Sequence, residues 1–202
     1  MPAFIYTINP ATGSELQRYK SWTAAQIELA VQRGRDAAHA WGAQPLTLRV
    51  AKLTRLAATL RAQKTALAAL MTAEMGKPLA EAAGEVEKSA VTAEYYAQHA
   101  ERLLADEHVA IDGVDAWVRY EPIGLVLAVM PWNFPVWQVM RFAIPALVAG
   151  NGVLLKHSPN VTGCALALEK LCVDAGLPPS LLTTMVVAEP DVPAVIDVLN
   201  TY

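Results

Sequence analysis

Apolar and polar positions alternate in two distinct rhythms along this chain, and the change falls near its middle. From Thr23 to Trp41, apolar residues stand at Ile27, Ala30, Val31, Gly34, Ala37, Ala38 and Trp41, roughly the spacing of one helical face. Thr23 occupies the N-cap position of that helix. The same period continues through Thr47–Met75, with Leu53, Leu56, Leu60, Leu67, Leu70 and Met71 on one side, and predicts a second helix that Gly76 ends. Pro78 suits the first turn of a third helix reaching to about Leu104. All three are rich in alanine, which favours close packing of helix on helix. Ahead of them, Phe4–Asn9 reads as a short strand running into a turn over Asn9–Gly13.

Val109–Tyr120 has a different character: two short β-prone runs flank Asp112-Gly113, a hairpin pattern. From Leu125 onward strands and helices alternate. Leu125–Met130, Val153–Lys156 and Leu182–Val187 are the strands; Val136–Val148, Thr162–Ala175 and Val192–Asn200 are the helices. Such alternation predicts a parallel sheet with crossover helices. The fold class is therefore α/β, with a helical part over 1–108, a hairpin over 109–121 and part of an open, Rossmann-like parallel sheet over 122–202. No internal repeat, low-complexity tract or linker interrupts it. Three parallel strands leave long edges unpaired, which points to further sheet from the same chain or from a partner.

Composition narrows the function classes. The 202 residues are 54% hydrophobic and carry a net charge of −3, with no basic stripe, so nucleic acid is not an expected partner. The longest uncharged stretch, Pro122–Met140, is broken by Pro122, Gly124, Pro131 and Pro135, so no membrane span is expected. The N-terminus has neither a basic start nor an apolar run, and two cysteines suit a reducing compartment; cytoplasm is the expectation. The histidines at 39, 99, 108 and 157 lack metal-ligand spacing, so no metal is expected.

Candidate chemistry gathers at the strand ends. Pro131-Trp132-Asn133-Phe134-Pro135 follows an apolar strand and puts one polar amide, Asn133, at its carboxyl end, where open α/β sheets bind ligands. Taken alone, Asn133 also fits a turn asparagine that satisfies its own backbone. Lys156 ends another apolar strand, and its head has to reach solvent or a polar ligand. Cys164 and Cys172 are flanked by alanine and leucine with no base nearby, and read as small core residues.

Several segments together resemble the aldehyde dehydrogenase superfamily: Pro131-Trp132-Asn133-Phe134-Pro135, then Ala149-Gly150-Asn151, then the strand ending at Lys156. Asn9-Pro10-Ala11-Thr12-Gly13, Glu74-Met75-Gly76-Lys77-Pro78 and Glu81-Ala82-Ala83-Gly84-Glu85-Val86 extend the likeness outward. Within the superfamily, the run from Leu154 to Ala165 is similar to succinate-semialdehyde dehydrogenases. Nearly the whole chain is covered, but only about half of the family's length. The resemblance implies a catalytic role for Asn133, whose side-chain amide would donate to the oxyanion formed when a cysteine attacks the aldehyde. It implies a cofactor cleft, for NAD or NADP, formed by Met130, Pro131, Trp132, Asn133, Lys156, His157, Ser158 and Pro159. Lys156 would bind ribose hydroxyls; His157 and Ser158 would meet the adenosine ribose or its phosphate, or only shape the turn. Pro159 stands where many members have a glutamate, which leaves the choice between NAD and NADP open. Arg141 would meet a substrate carboxylate or lie on the helix surface.

The family's G-S-T-x-x-G, E-L-G-G-K and G-Q-x-C segments are absent from the sequence. The resemblance therefore implies an N-terminal portion, truncated before the catalytic domain. Its parent would be a homo-oligomer oxidising a small aldehyde, succinate semialdehyde in the first place, and the isolated chain would show no turnover. The alternative is a non-catalytic fragment or interaction module pairing with another subunit. A cysteine enzyme using Cys164 or Cys172 is the weakest reading.

Overall fold

The chain opens with two strands where the sequence pattern reveals one. In the computed structural model, which describes residues 3–199, β1 (Phe4–Ile8) pairs antiparallel with β2 (Glu15–Lys20). β2 hides from pattern reading because it is exposed on both faces apart from a partly covered Tyr19, so it has no alternation. A capping box starts α1 (Ala24–Gly42): the Thr23 hydroxyl accepts the N–H of Gln26 at 3.3 Å, and the Gln26 side-chain oxygen accepts that of Thr23 at 2.9 Å. Its buried face is Ile27, Ala30, Val31, Gly34, Ala38 and Trp41.

The single helix predicted over Thr47–Met75 is two, α2 (Leu46–Ala62) and α3 (Lys64–Met75), parted at Gln63, whose ψ is 7°. Leu60 and Leu67, on either side of the break, are both buried, so the apolar stripe runs through the bend and does not register it. Gly76 ends α3 at φ 77°, a left-handed conformation that favours glycine, and α4 (Leu79–Leu103) begins behind Pro78. A hairpin of β3 (Glu107–Ile111) and β4 (Val114–Val118) turns at Asp112-Gly113, with Gly113 at φ 75°.

The sheet is parallel, in the order β5 (Leu125–Met130), β6 (Gly152–His157), β7 (Leu182–Thr184). Crossovers α5 (Trp137–Val148) and α6 (Thr162–Asp174) connect the strands. β6, between two neighbours, is buried at every position. β5 has one edge without a strand partner among the described residues and exposes Leu127 and Val129. β7 stops at Thr184 rather than Val187: the Met185 N–H still donates to the Leu155 carbonyl at 2.8 Å, but beyond it the partner is the segment before α1, with the Trp22 N–H donating to the Val186 carbonyl at 2.8 Å and the Ala188 N–H to Ser21 Oγ at 3.1 Å. α7 (Val192–Leu199) follows; Asn200, its predicted last residue, lies outside the described residues.

Asn151 gives the Ala149-Gly150-Asn151 segment a mechanical meaning. Its Oδ1 accepts the N–H groups of Ile123 at 2.8 Å and Gly124 at 3.1 Å, and its Nδ2 donates to the Ala146 carbonyl at 3.2 Å, fastening the start of β5 to the start of β6. One buried cluster joins Leu56, Met71 and Ala90 of the helices to Met140, Leu147 and Leu155 of the sheet region, so the two halves share an interior. Among the described residues no helix is long and apolar enough to cross a membrane.

Candidate active site

The turn after β5 is held by side chains from three distant elements. Lys77, carried off the left-handed Gly76, donates from Nζ to the Asn133 carbonyl at 2.9 Å and sits 3.9 Å from the centre of the Phe134 ring. The same ammonium pairs with Glu85 Oε2. The other oxygen of Glu85 accepts the N–H groups of Val136 and Trp137, both at 2.8 Å. Those are donors that the start of α5 would otherwise leave orphaned, and a carboxylate suits the positive end of a helix. Both partners are buried, Lys77 at 8% and Glu85 at 5% exposure, so the pair is shielded from solvent.

His157 completes the clamp from the end of β6. Its Nε2 donates to the Pro135 carbonyl at 2.9 Å, while Nδ1 accepts the Ser158 N–H at 2.8 Å. One donor and one acceptor fix the neutral Nε2–H tautomer. Burial holds its pKa below the ordinary histidine value, against the Pro135 contact, which favours the charged form. Of the two roles open to His157 in the sequence, the geometry favours shaping the turn, since both ring nitrogens are committed within the chain. The Ser158 N–H is shared with the Met130 carbonyl at 3.0 Å, joining the ends of β5 and β6. The Ser158 hydroxyl donates to Asn160 Oδ1 at 2.7 Å, and Pro159 opens a short 3-10 turn, Pro159–Val161.

While the backbone of this turn is pinned, its side chains face outward. Asn133 is exposed, with Trp132 at 51% and Phe134 at 44% exposure on either side. Asn9 shows what a self-satisfying turn asparagine does: its Oδ1 accepts the Ala11 N–H at 2.9 Å. The Asn133 amide makes no such bond among the described residues; only its backbone carbonyl is engaged.

Lys156 lies beside Val129 in the sheet register, one position before the Met130–His157 pair. It is 8% exposed, and burial lowers its pKa, partly offset by the charge of Glu189. No hydrogen bond among the described residues satisfies this ammonium, whose three donors are left for solvent or a polar ligand. Met130, the Pro131–Asn133 turn and Lys156 therefore meet at the carboxyl ends of neighbouring strands. Arg141 stands apart, exposed on α5 one turn beyond Trp137, with no ion pair among the described residues.

Neither thiol is in a setting that lowers its pKa. Cys164 and Cys172 are buried and free. Burial and the nearby Glu74 charge push the Cys164 thiol far up, and burial with Glu169 pushes that of Cys172 up to about 12. Glu74 acts structurally, since its two oxygens accept the N–H groups of Gly163 and Cys164, both at 2.9 Å, at the start of α6. A side chain at Gly163 would place its first carbon 2.5 Å from Glu74 Oε1, so the carboxylate would have to shift off these two N–H groups. Among the described residues no group of three His, Cys, Asp or Glu converges to hold a metal ion.

In the sequence, Lys77, Glu85 and Glu74 stand out only as letters of longer motifs. One signal marks Glu85: it falls in line with Ala82, Val86, Ser89 and Ala93 on the buried face of α4, a charge where the period calls for an apolar residue.

Known proteins share this arrangement of elements. Residues 2–196 match the aldehyde dehydrogenase family. The succinate semialdehyde dehydrogenase [NAD(P)+] Sad of Escherichia coli is 43% identical over 85% of the chain. A probable succinate-semialdehyde dehydrogenase [NADP(+)] of Synechocystis is 42% identical over 91%. The chain spans 37% and 40% of the lengths of these two curated relatives. Among solved structures, succinic semialdehyde dehydrogenase from Streptococcus pyogenes in complex with NADP+ superposes with a TM-score of 0.90 at 32% identity, covering 95% of this chain and 42% of that one.

Proposed function

The chain belongs to the aldehyde dehydrogenase family, and we propose that it forms the cofactor-side, N-terminal portion of an enzyme that oxidises succinate semialdehyde to the carboxylate with NAD or NADP. The observation that carries this reading is the Asn133 amide, exposed and without a partner among the described residues, on a turn whose backbone is fixed. A donor of that kind can meet charge that develops on an aldehyde oxygen as a nucleophile adds. The nucleophile and the general base belong to family segments that this sequence does not contain.

Bound nicotinamide dinucleotide supplies the hydride acceptor. Pro131 and Trp132 would line its nicotinamide end with Met130 beside them, and Lys156 would offer donors to ribose hydroxyls. Ser158 and Pro159 form the rim beyond Lys156, and His157 holds the turn from behind. Pro159 brings no carboxylate to repel a 2′-phosphate, which favours acceptance of NADP, the cofactor named for the Synechocystis and Streptococcus relatives. The relatives' names support succinate semialdehyde, and exposed Arg141 is the candidate for its carboxylate. The β3–β4 hairpin, with Ile111 at 53% and Trp117 at 58% exposure, is the candidate surface for homo-oligomer formation. Two free thiols accord with a cytoplasmic setting.

The test is formation of reduced nucleotide from succinate semialdehyde by the parent enzyme, with each cofactor in turn. Turnover is expected from the parent, a raised nucleotide KM from its Lys156→Ala variant, and none from the 202-residue chain alone. A parent that turns over with neither cofactor would overturn the reaction; turnover by the isolated chain would overturn the fragment reading. The β5 edge, without a strand partner among the described residues and with Val129 at 58% exposure, favours a second reading as a module that pairs with another polypeptide. A soluble monomer with a cooperative melt would support that reading; a molten state would support the incomplete enzyme.

A further inference from the structure

We propose that Lys77 and Glu85 are positioning residues for Asn133, setting the direction of its amide through its own carbonyl and the backbone that follows it. The inference rests on the function proposed above. Lys77 divides its donors between Glu85 and the Asn133 carbonyl, with its charge over the Phe134 ring. Glu85 divides its acceptors between Lys77 and the N–H groups of Val136 and Trp137. One ion pair thus grips Asn133 at its carbonyl and the chain again three residues later. Between those grips, His157 holds the Pro135 carbonyl. With the carbonyl side of Asn133 held, its χ1 has three staggered choices, each aiming the amide in a different direction from the fixed backbone. Fastening α4 to α5 would need only Glu85 on the helix start; the bond from Lys77 to the Asn133 carbonyl goes beyond that need. Neither Lys77 nor Glu85 is expected to touch substrate or cofactor. A displacement of about 1 Å at a reacting group costs on the order of a hundredfold in rate, so loosening this grip has a kinetic signature.

The experiment uses the parent enzyme with Lys77→Met, Lys77→Met/Glu85→Gln and Asn133→Ala. The paired variant keeps shape and neutrality, and its Gln oxygen still accepts the Val136 and Trp137 donors, so it guards against a simple failure to fold. The expected result is a kcat lowered by about tenfold to a hundredfold in both Lys77 variants, with nucleotide KM within about twofold of wild type. Lys77→Met added to Asn133→Ala is expected to slow the enzyme no further, because the group being positioned is gone. Wild-type kcat in the Lys77 variants, or losses that multiply with Asn133→Ala, would overturn the proposal. If the wild-type parent oxidises no aldehyde, the functional reading fails by itself. The grip is then read in the parent protein, selectively labelled, from the Phe134 amide nitrogen resonance, whose peptide bond carries the Asn133 carbonyl. A shifted, broadened resonance in both Lys77 variants is expected; an unchanged one would overturn the positioning claim.

Discussion

Glu85 and Glu74 perform the same mechanical act at two places and are compensated differently. Each carboxylate leaves the N-terminal helical region and accepts two backbone N–H groups at the start of a sheet-region helix, α5 for Glu85 and α6 for Glu74. Glu85 has a buried cation beside it, Lys77, and the turn between them carries the candidate catalytic amide. Glu74 has no cation in contact among the described residues, and burial raises its pKa. Backbone donors alone are enough to fasten a helix. The added cation is found where the chain must also hold a particular carbonyl, which separates a fastening from a positioning device.

The largest effect expected from this contrast is on Glu85. Glu85→Ala strands the Lys77 ammonium in a buried site and orphans two donors, a loss of about 3–5 kcal/mol, read from the urea midpoint. Adding Lys77→Met to it should recover part of that loss. Glu74→Ala orphans two donors but strands no charge, so about 1–3 kcal/mol is expected. A Glu74→Ala loss equal to or larger than that of Glu85→Ala would break the comparison.

The smallest effects are in pH dependence, and their signs differ. His157 has a lowered pKa in the folded state, so below about pH 6.5 the unfolded chain binds more protons at this site. Its contribution is present above that value and is lost as pH falls through it toward the folded pKa. Glu74 has a raised pKa, so the native state binds more protons there between the ordinary glutamate value and its own. Its ionisation counts against the native state near neutrality, and that cost is relieved as pH falls. From about pH 7 to about pH 5, the stability of wild type relative to His157→Gln should fall, and that relative to Glu74→Gln should rise. Parallel trends would show that the two groups do not differ as described.

Much of this was legible in the sequence, for identifiable reasons. The alternation after Leu125 produced the parallel sheet, because each strand there is a short apolar run bounded by Gly or Pro. The buried face of α1 followed the apolar period. Three features were not readable from period: β2 is polar on both faces, Gln63 bends a helix without shifting its stripe, and β7 gives way to pairing with a segment more than a hundred residues earlier in the chain. At the candidate site, the position of Asn133 after an apolar strand was readable, but not what holds it. Lys77, Glu85 and His157 reach the turn through side-chain bonds to backbone groups far away in sequence, and such bonds leave no periodic trace. The charge of Glu85 on the buried face of α4 was the one local sign.

The measurement that bears most directly on the central claim is kcat of the parent enzyme carrying Asn133→Ala, with succinate semialdehyde and saturating nucleotide. The expected result is a fall of roughly a hundredfold to a thousandfold, the usual cost of losing one oxyanion donor, with nucleotide KM within about twofold of wild type. A variant that keeps wild-type kcat would contradict the assignment of Asn133 and, with it, the purpose given to the clamp around it.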